Sequence, residues 1–366
     1  MDNMEHVPKT KILFVIGSLV MGGIEVLLLD ILNNIDFNKY DVTLLAIYGD
    51  GDLTAAVPEE VHFKYIFKHN FKGSFRIIRR IPSRILYRCT IKERFDIEIS
   101  FKTGIAERLI TASPNLLSHK IAFVHEDYEY KKCSLKKQRK YYEKVNKIIT
   151  VSEKCKRAFN KVINADRQVE VIYNAVSTKK INSLRSEKCD IEKCHDETVI
   201  VSVGRLVYEK GYDRIIEMLG RIREKNIKLY IVGEGPERKN LERKIQQNRL
   251  DGRVHLVGNQ INPYKYLKIA DVYFQPSRTE AFGIAIVEAL IMGLPVISTK
   301  SGGPEEILEN GKYGLLVENN ETGILSGLEF IADSKEKLDH YRQLSLLRSM
   351  DFTIDRYMSD LYEVFK

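Results

Sequence analysis

Short apolar runs alternate with amphipathic segments along this chain, and the alternation stops once and restarts. Residues 11–16 read as a buried strand, Gly22-Gly23 as a turn, and 24–32 as a helix with apolar residues at helical spacing. Segments 41–47, 97–101, 120–124, 147–151 and 169–172 read as further strands. Residues 177–198 are polar, charged and aperiodic, which suits a connection. The pattern resumes at 199–203, with strands expected at 228–232, 254–257, 272–275, 295–299 and 314–317. Strand–helix alternation of this kind specifies α/β domains, each a parallel sheet wrapped by helices. At roughly 100–200 residues per domain, 366 residues suit two such domains. The expected organisation is a first domain over 1–177, a linker over 178–198 and a second domain over 199–349. The C-terminal segment 350–366 contains an amphipathic helix with Tyr357, Leu361 and Val364 on one face, expected to pack back on the first domain. Open sheets of this class bind ligands at strand C-termini, so the two domains are expected to face a central cleft.

Composition narrows the partners. Hydrophobic residues make up 44 % and charged residues 30 %, an ordinary globular balance. The formal charge of +8 suits an anionic ligand or an anionic membrane surface. No nucleic-acid motif accompanies it, so nucleic acid is not an expected partner. Cysteines at 89, 133, 155, 189 and 194 are odd in number and irregular in spacing, which implies no disulfide framework and a reducing compartment. Cys189, Cys194 and His195 lack a second ligand pair at metal spacing. Asp50-Gly51-Asp52 has the spacing of an acidic metal pair but stands where turns favour aspartate. No metal is therefore expected. The apolar run 12–20 lacks the basic flank and cleavage site of a signal peptide. No apolar run reaches the ~18 residues of a membrane span, the longest, 281–297, being broken by Glu288 and Pro295. The expectation is a cytoplasmic protein, free or at the inner face of the cytoplasmic membrane.

Two segments carry chemistry. In the first, Glu280 and Glu288 stand eight residues apart around the start of a helix near Gly283, and Gly293 and Pro295 end that helix. Free N–H groups of its first turn, from Phe282 to Ala285, offer partial positive charge to a phosphate or a charge-developing oxygen. A carboxylate beside such a site suits sugar hydroxyls, since it accepts two hydrogen bonds from a diol. In the second, Gly204-Arg205 and Lys210-Gly211 follow directly on a strand. Arg205 offers a bidentate fork for phosphate oxygens and Lys210 a point charge. Two cations and a helix N-terminus together would neutralise a diphosphate leaving group.

In order and spacing these pieces resemble the retaining GT-B glycosyltransferases with a Glu-x7-Glu motif, family 4. The resemblance runs through Gly22-Gly23-Ile24-Glu25, Val151-Ser152-Glu153, Ile172-Tyr173-Asn174, Gly204-Arg205 with Lys210-Gly211, Val232 to Pro236, Glu280 to Glu288, and Gly302 to Ile307. It implies two Rossmann-like domains, an acceptor domain followed by a nucleotide-sugar donor domain. It implies a catalytic set of Glu280, His125, Lys210 and Arg205. Gly22, Gly23, Gly204, Arg205, Lys210, Phe282, Gly283, Ile284 and Glu288 would bind the donor. Arg205 and Lys210 would hold its diphosphate and Glu288 its ribose. Glu280, with the N–H groups of Phe282 and Gly283, would hold the sugar, and His125 would stand near that sugar. Such enzymes transfer with retention, without a metal or other cofactor; the co-substrate is a nucleotide sugar, commonly a UDP-sugar. The acceptor is expected to be a glycan or lipid-linked glycan in cell-surface polysaccharide synthesis. Two other readings stay open, a GT-B epimerase or hydrolase and a non-catalytic nucleotide-sugar-binding subunit.

A basic tract, Lys68 to Arg94, interleaves Lys72, Arg76, Arg79, Arg80, Arg84, Arg88 and Lys92 with Phe71, Phe75, Ile77, Ile78, Ile81, Ile85, Leu86 and Tyr87. It suits a basic amphipathic element on an anionic membrane. A second tract, Lys131 to Lys147 with Tyr141 and Tyr142, is expected to flank the acceptor.

Overall fold

The computed structural model describes residues 8–126, 135–163, 169–222, 226–333 and 335–366. The chain divides into two compact units, Met1–Asn174 with Ile354–Lys366, and Ala175–Thr353.

The first unit runs β1 (Thr10–Ile16), α1 (Gly23–Leu32), β2 (Tyr40–Tyr48), β3 (His62–Phe67), α2 (Ser74–Arg80), α3 (Ser83–Thr90), β4 (Ile97–Ser100), α4 (Ile105–Ile110), β5 (His119–Val124), α5 (Leu135–Tyr142), β6 (Lys147–Thr150), α6 (Glu153–Ile163) and β7 (Val169–Val171). Among the described residues these strands form one sheet in the order β3-β2-β1-β4-β5-β6-β7, with parallel pairing throughout. Helices on both faces bury the central strands, which is why they read as unbroken apolar runs. Leu13, Val15, Ala122, Val124, Ile148 and Phe159 share one such core. β3 was not expected from the sequence. It is an edge strand, paired with β2 alone, and most of its side chains are half-buried or exposed, so it carries no apolar run.

The second unit runs α7 (Thr178–Leu184), β8 (Thr198–Val203), α8 (Tyr212–Leu219), β9 (Ile227–Val232), α9 (Arg238–Gln247), β10 (Val254–Gly258), α10 (Tyr264–Ile269), β11 (Val272–Gln275), α11 (Ile284–Ile291), β12 (Val296–Thr299), α12 (Gly303–Ile307), β13 (Leu315–Val317), α13 (Glu321–Asp333) and α14 (Lys335–Ser349). Its parallel sheet has the order β10-β9-β8-β11-β12-β13 among the described residues. In both sheets the order reverses beside the first strand of the unit, between β1 and β4 and between β8 and β11. Doubly wound sheets open a ligand crevice at that reversal.

The stretch 178–198 differs from the expected linker. Its first turns are α7, capped by the Ser177 hydroxyl, which accepts from the Lys180 N–H at 3.3 Å, and the helix belongs to the second unit. Asn262 Nδ2 donates to the Leu184 carbonyl at 2.8 Å and anchors its end. Ile181 is the buried residue of that helix, too sparse a signal for a periodicity. Residues 350–353 likewise stay with the second unit, and the return to the first begins at α15 (Ile354–Phe365). There Tyr362 stacks on Tyr40 at 5.6 Å, and its hydroxyl accepts from the Asp36 N–H at 2.9 Å. Among the described residues no helix is long and apolar enough to cross a membrane.

Candidate active site

In the second unit two loops leave the sheet on either side of the reversal. The loop after β8 carries Gly204, at φ +157°, then the exposed Arg205, and reaches Lys210 and Gly211. The loop after β11 carries Glu280 and ends at Gly283, which caps α11 at φ +115°. The structure brings the two together, with Lys210 Nζ standing 2.5 Å from Glu280 Oε2. That oxygen also accepts from Gln275 Nε2 at 2.9 Å and from Ser277 Oγ at 3.4 Å. Gln275 is buried at the end of β11, and its own oxygen accepts from the Tyr273 hydroxyl. The Glu280 main chain is pinned as well. Its N–H donates to the Ser301 carbonyl at 3.0 Å, and its carbonyl accepts from the Gly303 N–H at 2.9 Å.

A second set of contacts stitches the same loops together. Arg278 forks onto Asp213, at 2.7 Å on each carboxylate oxygen, lies over the Tyr208 ring at 3.9 Å, and donates to the Tyr208 carbonyl at 2.8 Å. Burial opposes ionisation of Asp213, but the Arg278 bonds and charge outweigh it and hold that carboxyl below its usual range. Arg214 Nη2 donates to the Pro276 carbonyl at 2.6 Å. At Gly211, φ +68°, a Cβ would stand 2.1 Å from that same oxygen, so the approach requires glycine.

Glu288 lies one turn and a half into α11, where Oε1 accepts from the Tyr264 hydroxyl at 2.9 Å. The Phe282 ring is buried against Phe352 at 5.9 Å, so only its main chain can meet a ligand. Gly283, Ile284 and Ala285 head α11, ahead of the first i−4 carbonyls. The Arg205 side chain makes no hydrogen bond or ion pair with the described residues. Beneath Gly204 the Tyr212 hydroxyl is buried without a partner among those residues, and burial keeps it protonated. Sequence reasoning missed Gln275, Arg278, Asp213 and Tyr264. A signal existed for Gln275 alone, a polar residue closing an apolar strand just ahead of Glu280.

Gly22, Gly23 and His125 belong to the first unit. Gly22 caps α1 in extended conformation, φ −173°, with the Glu25 carboxylate folded back against it. Glu25 in turn holds Lys102 Nζ at 2.8 Å, on the loop after β4. His125 follows β5 and is 7 % exposed, its ring 5.1 Å from Phe101 and 5.9 Å from Phe123. Burial, and then the Lys102 charge, push its pKa down to about 3, against a smaller pull from the Phe101 backbone. The imidazole is neutral at pH 7, and both of its ring nitrogens are buried.

The basic tract is two short helices, α2 and α3, parted at Ile81-Pro82, rather than one continuous element. Ile78, Leu86 and Tyr87 are core residues. Phe71, Phe75, Ile77 and Ile85 point outward, 46, 53, 46 and 54 % exposed. Of the second tract, residues 131–134 lie outside the described residues, as does Cys133. Tyr142 is a core residue whose hydroxyl donates to Glu107, so it does not face an acceptor. Asp50 and Asp52 accept main-chain N–H bonds from Asn70 and Met21, each on another loop.

Residues 21–180 match the family model described as Glycosyltransferase Family 4, and residues 186–344 match that of Glycosyl transferases group 1. Over 152 residues the chain is 33 % identical to the lipopolysaccharide core biosynthesis glycosyltransferase LpsE of Rhizobium meliloti, covering 42 % of this chain and 44 % of LpsE. Over 188 residues it is 28 % identical to a Campylobacter jejuni enzyme, N-acetylgalactosamine-N,N'-diacetylbacillosaminyl-diphospho-undecaprenol 4-alpha-N-acetylgalactosaminyltransferase, covering 51 % of this chain and 50 % of that one. The chain thus spans about half the length of these curated relatives. Its fold is that of Anabaena HepE, solved in complex with UDP and glucose, with a TM-score of 0.78 and 20 % identity over 97 % of this chain and 98 % of HepE. The chain belongs to glycosyltransferase family 4, the group 1 glycosyltransferases of GT-B fold.

Proposed function

We propose that the chain is a retaining, metal-independent glycosyltransferase that moves a sugar from a nucleotide diphosphate, with uridine as the base, to a glycan or lipid-linked acceptor. The observation that carries this reading is the meeting of Lys210 and Glu280 at the sheet reversal, beside Arg205 and the head of α11. Arg205, Lys210 and the first-turn N–H groups of α11 neutralise the diphosphate as the sugar departs. Glu280 takes hydroxyls of the sugar and Glu288 those of the ribose. With retention, the departing phosphate accepts the acceptor's proton on the face it leaves. Cell-surface polysaccharide assembly fits the lipopolysaccharide and undecaprenol-linked substrates in the relatives' names.

The test is a panel of nucleotide sugars and nucleoside diphosphates against the folded protein, read as thermal stabilisation and slow donor hydrolysis. One nucleotide sugar should stand out. Stabilisation by none of them would overturn the reading. Glu288→Ala should weaken nucleotide binding about 10- to 100-fold, since a charge-assisted bond to ribose is worth about 1.5–3 kcal/mol. A 2′,3′-dideoxynucleotide should lose nothing further on that variant, and calorimetric affinity equal to wild type would remove Glu288 from the site.

The outward face of α2 and α3, with Phe71 just ahead of α2, sets Phe75, Ile77 and Ile85 among Arg76, Arg79, Arg80 and Arg84, a surface suited to an anionic bilayer. At about 1 kcal/mol per cation near such a surface, replacing the four arginines by glutamine should cut partition onto anionic vesicles by roughly a thousandfold. Equal co-sedimentation of both proteins would count against membrane contact here.

A further inference from the structure

The two charges assigned to the donor neutralise each other in a direct ion pair. Lys210 and Glu280 are 21 and 15 % exposed, so the pair is partly shielded from water. A diphosphate that takes the Lys210 charge must share the ammonium with Glu280 or draw it away. Gln275 and Ser277 remain on Oε2, but both are neutral. Glu280 is then a partly shielded carboxylate whose cation is shared or withdrawn beside an arriving anion. An intact nucleotide sugar carries the remedy, hydroxyl donors that take the place of the ammonium on Glu280. A bare nucleoside diphosphate has only its ribose hydroxyls, which are assigned to Glu288, and none beyond its phosphates to reach Glu280.

We propose that the Lys210–Glu280 pair is a specificity device that discriminates an intact nucleotide sugar from the bare nucleoside diphosphate. The inference rests on the donor-site reading given above. Bare diphosphate weakens the pair and places an anion beside Glu280 without compensation, whereas the intact donor supplies hydrogen bonds to Glu280 through its sugar. After transfer the sugar has left, Lys210 returns to Glu280, and the diphosphate loses a cation. The same pair therefore favours entry of substrate and departure of product.

Titration calorimetry with UDP and GDP, on wild type and on Glu280→Gln, tests this. Glutamine keeps the shape and can still accept from Gln275 and Ser277, but it no longer competes for Lys210. Glu280→Gln should bind the preferred bare diphosphate about tenfold more tightly than wild type, the factor that about 1.4 kcal/mol produces. It should also lose the preference for the intact nucleotide sugar. Lys210→Gln in the same chain should abolish the gain. Equal or weaker diphosphate binding by Glu280→Gln would overturn the device while leaving the donor site standing. Binding of neither diphosphate to wild type or to Glu280→Gln would take the donor-site reading and the device together. Glu280→Ala supplies the same comparison should the glutamine variant fold poorly.

Discussion

Lys210→Ala should lower kcat by about 10²–10³-fold, the loss typical of removing one charge-stabilising donor from a transition state. The Michaelis constant for the donor should stay within a few-fold of wild type. The split follows from where Lys210 spends its charge. Lys210 serves Glu280 at 2.5 Å, so its contact with the donor diphosphate in the ground state is gained partly at the expense of that pair. The net ground-state contribution is small. As the sugar–phosphate bond breaks, charge builds on the diphosphate and the lysine contact strengthens with no matching loss, which raises kcat alone. Steady-state kinetics at saturating acceptor decide the matter. A rise in KM with kcat intact would mean that Lys210 binds the donor uniformly and does not stabilise its departure.

Much of this site was legible in the sequence because its parts follow strands. A parallel strand buried on both faces is an unbroken apolar run, and the residues after it stand at the sheet's ligand-binding edge. Arg205, Lys210 and Glu280 could be placed on that ground alone. β3 escaped because an exposed edge strand has no such run, and α7 because one buried isoleucine makes no period. The pairings within the site escaped for a different reason. Arg278 and its partner Asp213 are 65 residues apart, and Tyr264 reaches Glu288 across 24. No local pattern marks which arginine a distant aspartate will meet. Hardest to read was the Gly302-Gly-Pro-Glu-Glu306 segment, which entered as part of a resemblance and with no physical role. Its contribution is made by main chain, which side-chain chemistry does not announce.

That main-chain contact makes Gly303→Ala a more damaging substitution than its size suggests. The segment entering α12 lies directly on the Glu280 loop, with Glu280 bridged to Gly302 and the Gly303 N–H bonded to the Glu280 carbonyl. A Cβ on residue 303 would stand 2.1 Å from the Phe282 carbonyl oxygen and 2.3 Å from its Cα. Neither atom is the end of a flexible side chain. Phe282 cannot retreat without dragging its buried ring from Phe352, and residue 303 cannot retreat without breaking its bond to Glu280. One of the two segments must move, and Glu280 sits between the fixed points. A displacement of about 1 Å in a positioning group costs roughly 100-fold in rate, so kcat should fall by at least that factor. Overpacking of this kind also costs about 1–3 kcal/mol. In a unit of this size the melting temperature should drop by about 2–10 °C. Differential scanning calorimetry and kcat measured on the same preparation separate the two effects, because the protein that remains folded should still be slow. Wild-type kcat in the folded variant would show that α12 can shift without moving Glu280, and that the contact supports the fold but does not set the position of the carboxylate.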